Sequence, residues 1–387
     1  MRQLKYILPV SLLLIFLLWV GIRGGKSGEA VPQDEVIEEA VAVPDTLRLL
    51  FAGDVMVHAT QYESAWQEGG DSTYNFNPPF TYIQDLIRSA DLSIANFEVA
   101  LGGKPYSGYP LFSSPPEIVD ALKDAGFDLL FTANNHAADK GRKGIEGTIE
   151  YMRALDLLHT GSFIDSTDRA DHYPLLVERN HIRLAFLNYT YGTNGMPVRK
   201  PNIINLTDTV QIRADLAKAR LSQPDYIITC MHWGYEYHEK EHAEQRRLAR
   251  FLAENGTQLI IGSHPHVVQP YDEIVTHAGD TVPVIYSLGN LISNQQWRRA
   301  DGGILFEVIL VKNEGQTARI SSAYEPFWVN RFNEETQSIY RIIPVNDYRR
   351  HAERYDLDDE QRRKINLFDE DTRATLPTLP FSDFYLY

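Results

Sequence analysis

Ile260-Ile261-Gly262-Ser263-His264-Pro265-His266-Val267-Val268-Gln269 is the stretch on which the reading of the fold turns. An apolar run reads as a buried strand and ends in two histidines flanking one proline, after which β-branched residues resume. A period of two would direct both imidazoles to the same side. Pro265 fixes its own φ and biases His264 towards an extended backbone, so the two rings are expected to serve one site from a stiff turn. Two nitrogen donors preorganised at a strand end suit a divalent metal, and a solvated His-Pro-His turn is the plain alternative.

Outward from this stretch, strands alternate with helices. Leu47 to Ala52 reads as a strand that stops at Gly53-Asp54, Pro79 to Ala90 as a helix, and Asp91 to Ala95 as a strand stopping at Asn96-Phe97-Glu98. Pro115-Pro116 opens a helix through Ala125, where proline in the first turn costs little. Phe127 to Thr132 is a strand ending at Asn134-Asn135-His136, and Gly144 to Asp156 is helical. Leu175 to Val177 and Ile182 to Leu187 flank a hairpin turn, Asp208 to Ser222 is a helix, and Tyr226 to Met231 is a strand ending at His232-Trp233-Gly234. Glu241 to Asn255 is helical with Gly256 as its stop, and Val282 to Ser287, Ile304 to Val311 and Ala318 to Ala323 make an antiparallel finish. Such alternation predicts βαβ units and a mainly parallel sheet.

The polar residues fall where that pattern matters. Asp54, Asn96 with Glu98, Asn135 with His136, His232, and His264 with His266 each follow the carboxyl end of a predicted strand. In an open α/β sheet those ends share one edge, where ligands bind. Imidazole, carboxylate and carboxamide together suit zinc, manganese or iron, and a shared carboxylate can bridge two ions. Taken singly, each residue has a plain structural explanation: a turn, a cap, or a histidine bonded to backbone. Taken together, they predict a metal site.

Gly53-Asp54-Val55-Met56, Asn96-Phe97-Glu98, Ala133-Asn134-Asn135-His136 through Gly141, Met231-His232-Trp233-Gly234, Gly262 to Gln269 and Ser287-Leu288-Gly289-Asn290 together resemble the signature of the CapA family of bacterial capsule or poly-γ-glutamate synthesis proteins. The resemblance spans about Leu47 to Ala323. It implies an α/β calcineurin-like metallophosphoesterase fold, a four-layer α-β-β-α sandwich with two central sheets between helices. It also implies a role in making, exporting or anchoring poly-γ-glutamate or another envelope polymer, beside membrane-bound synthase or ligase subunits. Carried over by residue, Asp54, Glu98, Asn135, His232, His264 and His266 resemble metal positions holding one or two divalent ions (Mn, Zn or Fe), and His136 resembles a catalytic histidine. Two departures stand out. The superfamily's first motif has a histidine where this chain has Met56, and His58 would substitute only if the backbone bends; Asn96-Phe97-Glu98 replaces a bridging aspartate motif.

Three functions follow as expectations: a metal-dependent enzyme on an amide-linked polymer, by hydrolysis, transfer or Cα chemistry; a non-catalytic scaffold subunit of a polymer synthase; or a phosphodiesterase on envelope substrates. No Walker-type phosphate loop is present, so a partner ligase is expected to activate glutamate.

Composition sets the outer bounds. With 387 residues, 43% hydrophobic and 11% aromatic, the chain is globular, and its net charge of −15 argues against nucleic acid as a partner. Cys230 is the only cysteine, so no intrachain disulfide forms. Arg2 and Lys5 precede an apolar run from Tyr6 to Ile22, which reads as a signal peptide cleaved near Ala30 or, since no small-x-small site directly follows Gly21, as an uncleaved signal-anchor at 1–22 in the bacterial inner (cytoplasmic) membrane with the bulk of the chain outside the cytoplasm. Residues 23–45, with six acidic side chains, read as a flexible linker; 46–325 as the CapA-like domain; and 326–387 as a C-terminal extension with a charged helix.

Overall fold

The computed structural model describes residues 44–334 and 337–382. The expected anchor, and the linker up to position 43, lie outside the described residues. Among the described residues, no helix is long and apolar enough to cross a membrane.

The strand Asp45–Val55 shows how the layers arise. Its alternating side chains are apolar on both faces: Leu47, Leu49 and Phe51 join one core cluster, and Leu50 and Ala52 another. A strand buried on both faces must lie in a sheet covered on both sides. It pairs in parallel with Leu92–Phe97, which continues in parallel to Leu129–Phe131 and then Leu158–Thr160. On its other edge the sheet turns antiparallel through Gly302–Asn313, Gln316–Glu334 and Gln337–Pro344. Asn290–Ile292 adds a short parallel partner at the carboxyl end of Asp45–Val55. The second sheet has six strands, in the order Tyr271–Val275, Thr281–Ile285, Leu259–Ser263, Tyr226–His232, Ile182–Thr190, Leu175–Arg179.

Leu49, Phe51, Ile94 and Leu129 meet Leu184, Phe186, Ile228 and Ile261 between the two sheets. The outer face of the first sheet packs Leu50, Ala95 and Leu130 against Val119 and Leu122 of the helix Glu117–Ala125 and Met152 of the helix Gly141–Ala154. The outer face of the second packs Leu187, Ile227 and Ile260 against Ile212 and Leu216 of Thr209–Leu221 and Ala249 and Leu252 of Ala243–Glu254. This is the expected four-layer α-β-β-α sandwich. Local signals frame its helices: the Asp208 carboxylate accepts from Val210 N and Gln211 N, and Gly256 ends its helix with φ +96°.

Three features differ from expectation. The helix expected over Pro79 to Ala90 is a 3₁₀ turn, Pro78–Phe80, followed by a short helix, Gln84–Arg88. Phe80 and Ile83 both reach the core, and a spacing of three suits the tighter turn. The strand expected to end at Ala323 runs on to Glu334 through Pro326, which is paired with Ile304. The boundary expected at 325/326 therefore falls inside a strand of the first sheet, and the chain leaves that sheet only after Pro344.

Candidate metal centre

The strand ends of both sheets meet at one point. Gly53-Asp54 lies where the backbone of Leu288-Gly289-Asn290 crosses the end of the first strand, and Asn290 is the register partner of Asp54. A Cβ on Gly53 would come within 1.9 Å of the Gly289 carbonyl oxygen, and Asp54 N donates to that oxygen at 3.0 Å. Asn96 is the register partner of Asp54 on the neighbouring strand and donates from Nδ2 to Asp54 Oδ1 at 2.7 Å. Two residues further on, Glu98 turns inward, with its backbone N–H donating to the Val55 carbonyl. Asn134, in the turn after Leu129–Phe131, donates its side-chain amide to the Phe97 carbonyl at 2.7 Å and so aligns Asn135 and His136 with Glu98. From the second sheet, His232 ends its strand in register with Ser263, one residue before the His264-Pro265-His266 turn.

That turn departs from the expected extended backbone. His264 has φ +99° and His266 φ +58°, left-handed values that β-carbon sterics disfavour by roughly 1–2 kcal/mol each. His264 N donates to Asp54 Oδ2 at 3.2 Å, and His266 Nδ1 lies 3.1 Å from the same oxygen. The rings converge because Asp54 holds a strained turn, not because strand alternation points them together.

Asp54, Glu98, Asn135, His232, His264 and His266 are all buried and all share this locus. His232 Nε2 lies 2.8 Å from Asn135 Oδ1 and 3.6 Å from Glu98 Oε1, and His266 Nε2 lies 3.7 Å from the same Glu98 oxygen. Candidate ligand atoms of Glu98, His264 and His266 lie within 4.8 Å of one another, as do those of Asp54, Glu98 and His232. Glu98 belongs to both groups, so one or two ions fit, with Glu98 shared between them.

Unmet polar demand supports that fit. Neither oxygen of Glu98 has a hydrogen-bond partner, and His264 Nδ1 has none. Burial, then the negative charge of Asp54 and of Glu236, push the Glu98 carboxyl well above the usual carboxylate range. Burial and the neighbouring histidines push His232 and His264 well below the usual imidazole range, so both rings are neutral and available as ligands. Without a cation the raised Glu98 carboxyl keeps its proton; beside neutral imidazoles it is a set that can take up a divalent cation in exchange for that proton.

His136 lies at the edge of this group. Its Nδ1–H donates to Asp139 Oδ2 at 2.8 Å, and the same carboxylate oxygen accepts from Phe112 N at 2.7 Å. This fixes the ring against Phe112, 4.7 Å away between centroids. Met56 turns its sulfur towards Ser293 Oγ and Gln295 Nε2, each at 3.8 Å. His58 is engaged elsewhere: its Nδ1 lies 3.1 Å from Gln61 Oε1 and accepts from Asn294 N, and burial lowers its pKa to about 4.

Several supporting residues were not among the expected site positions. Asn290 places Oδ1 3.1 Å from His266 Nδ1 while its Nδ2 donates to Gln295 Oε1 and the Ala300 carbonyl, both at 2.8 Å. Ser263 Oγ lies 3.0 Å from His232 Nδ1, and the Tyr191 ring packs 4.6 Å from His264. Asp139 and Asn290 sit inside motifs visible in the sequence; Tyr191 carries no signal there.

Comparison with known proteins gives the family of the chain. The family described as "Bacterial capsule synthesis protein PGA_cap" matches residues 48–295, more than half of the chain. The "PGA biosynthesis protein CapA" of Bacillus subtilis (strain 168) is 29% identical over 276 residues, covering 70% of this chain and 69% of that protein. The "Capsule biosynthesis protein CapA" of Bacillus anthracis is 27% identical over 325 residues, covering 81% and 73% respectively. Among solved structures, the calcineurin-like phosphoesterase YfkN from Bacillus subtilis aligns at 13% identity with a TM-score of 0.47, over 86% of this chain and 98% of that one. The chain belongs to the bacterial capsule synthesis PGA_cap family.

Proposed function

We propose that this protein is a metal-dependent hydrolase or transferase acting on the amide backbone of an envelope polymer such as poly-γ-glutamate, beside membrane-bound synthase or ligase subunits. The observation that carries the reading is Glu98, fully buried with both oxygens unpartnered between His232 and His266. Asp54, Glu98, Asn135, His232, His264 and His266 would hold one or two ions of manganese, zinc or iron. Such an ion, when bound, supplies polarisation of a substrate oxygen and a nucleophile near neutral pH. His136, oriented by its Nδ1–H to Asp139, would take a proton on its remaining ring nitrogen from the attacking water and pass that proton to the leaving group. Segment 1–22 would hold the domain at the outer face of the bacterial cytoplasmic membrane, as its flanking charges and apolar run suggest.

Met56 favours a second reading, the non-catalytic scaffold. Its thioether is a poor ligand for hard ions, so a second ion would have fewer strong donors than the first.

Metal analysis of the full-length protein, as purified and after reloading with manganese, zinc or iron, separates the two. Near-stoichiometric metal in the parent and its loss from a His264→Ala, His266→Ala double variant is the expected result. His136→Ala should retain metal and lose polymer cleavage or transfer. A folded parent that takes up no metal sinks the enzyme reading and leaves the scaffold.

A further inference from the structure

Beside the histidines the surface opens into a cleft of about 950 Å³. His264 and Tyr191 form one end of it, so the cleft is continuous with the metal centre. Its lining includes the aromatic rings of Trp233, Tyr235 and Phe251 among polar and charged side chains. Tyr191 and Tyr235 are 47% and 48% exposed, which leaves two large rings open to solvent at the mouth. Arg247 is the one Lys or Arg among the lining residues, and it is paired with Glu244 at 3.5 Å. Glu236 also lines the cleft; it is exposed, forms no ion pair with a Lys, Arg or His among the described residues, and its charge also reaches Glu98.

The loop carrying Glu236 is tied to the histidine turn. Trp233 N donates to the Ser263 carbonyl at 3.1 Å, and Tyr237 N donates to the Pro265 carbonyl at 2.8 Å. Gln269 Nε2 donates to the carbonyls of His238 and Lys240 at 2.7 and 3.2 Å, and Tyr237 is held at φ +63°. A loop fixed at so many points presents its carboxylate in one place, which lowers the entropy lost on binding.

We infer that this cleft recognises the ammonium-bearing end of an amide-linked chain, with Glu236 as counter-charge and the rings of Tyr191 and Tyr235 as walls. The inference rests on the polymer reading above and names the part of the polymer that enters. A carboxylate without a cationic partner, among exposed aromatic faces, favours a cation over an anion. The interior of a glutamate polymer carries a carboxylate on every residue and is repelled both by Glu236 and by a chain of net charge −15. Its terminal residue bears the polymer's one ammonium beside its own α-carboxylate, so this end is zwitterionic and is repelled least. Seating that group at Glu236 leaves the amide bonds that follow it on the side of His264.

The test compares a synthetic γ-linked glutamate hexamer bearing a free amino terminus with the same hexamer acetylated there, binding to the full-length protein at low temperature by calorimetry. Acetylation is expected to weaken binding about tenfold. Glu236→Gln should weaken the free-amine hexamer by a similar factor, leave the acetylated one unchanged, and retain the parent's metal content. Equal affinity for the two hexamers, no measurable binding of either, or a variant that weakens both alike overturns the proposal. A metal-free parent that still discriminates between the hexamers would reject the metal-centre reading alone.

Discussion

Replacing Glu98 with glutamine should reverse sign with metal. The side chain is fully buried, neither oxygen accepts a hydrogen bond, and Asp54 and Glu236 add negative charge around it. Without a cation this carboxyl is a liability: an unsatisfied buried polar group costs about 1–3 kcal/mol, and more when charged. Glutamine keeps the shape and needs no proton taken up to stay neutral, and its amide can donate towards His232 Nε2 and His266 Nε2, which lie 3.6 and 3.7 Å from Glu98 Oε1. The chelator-treated Glu98→Gln variant is therefore expected to be more stable than the chelator-treated parent by about 1–3 kcal/mol, a rise of a few degrees in Tm. With metal at about a thousand times its Kd the parent should gain about 4 kcal/mol, while the variant gains far less. Thermal melts of both proteins, with chelator and with manganese or zinc, read the crossing of the two curves directly. A chelated variant less stable than the chelated parent, with metal shifting neither, would refute the argument that Glu98 is kept for a cation.

Two further outcomes are expected away from the ligands. Asp301 is buried, accepts from Trp328 Nε1 at 2.8 Å on Oδ2, has no partner on Oδ1, and is pushed by burial to about 6 from an ordinary 3.8. Because its folded value is raised, its contribution is complete below about pH 4 and is lost as pH rises through 6, a change of about 3 kcal/mol. Asp301→Asn should flatten that part of the stability profile and raise Tm at pH 7.5; an unchanged slope between pH 4 and 6.5 would rule out this origin. Asp371, on the helix Asp359–Thr375, accepts from Arg298 Nε and Nη2 at 2.6 Å each and from Arg299 Nη2 at 3.1 Å. These arginines belong to the loop whose Gln295 and Ala300 hold Asn290 against His266. Asp371→Asn should weaken metal affinity by about three- to tenfold, less than loss of a group touching a ligand directly. It should also speed amide exchange over 294–301. Competition with a chelating dye measures the first effect, and unchanged affinity would mean the C-terminal helix does not support the site.

Much of this molecule was legible without its structure. The strands around Leu47, Leu92, Leu129, Tyr226 and Leu259 follow from short apolar runs, and polar residues that follow these runs lie together in the candidate site. Both signals are local, since side-chain period and turn chemistry act over a few residues. Which residues support the candidate ligands was not local. Asp54 and His266 are 212 positions apart, and Asn290 reaches both only because its segment pairs with the end of the first strand. The expected extended backbone at His264 gave way to a left-handed one because His264 N has a long-range acceptor in Asp54. The long strand through Pro326 formed because Gly302–Asn313 and Gln337–Pro344 flank it on both sides, a pairing that outweighs the local signal of proline. Order along the chain thus determined the strands and the residue types at their ends. Only the packing of two sheets decided which of those ends meet, because pairing between distant segments depends on the whole buried core and not on any one stretch.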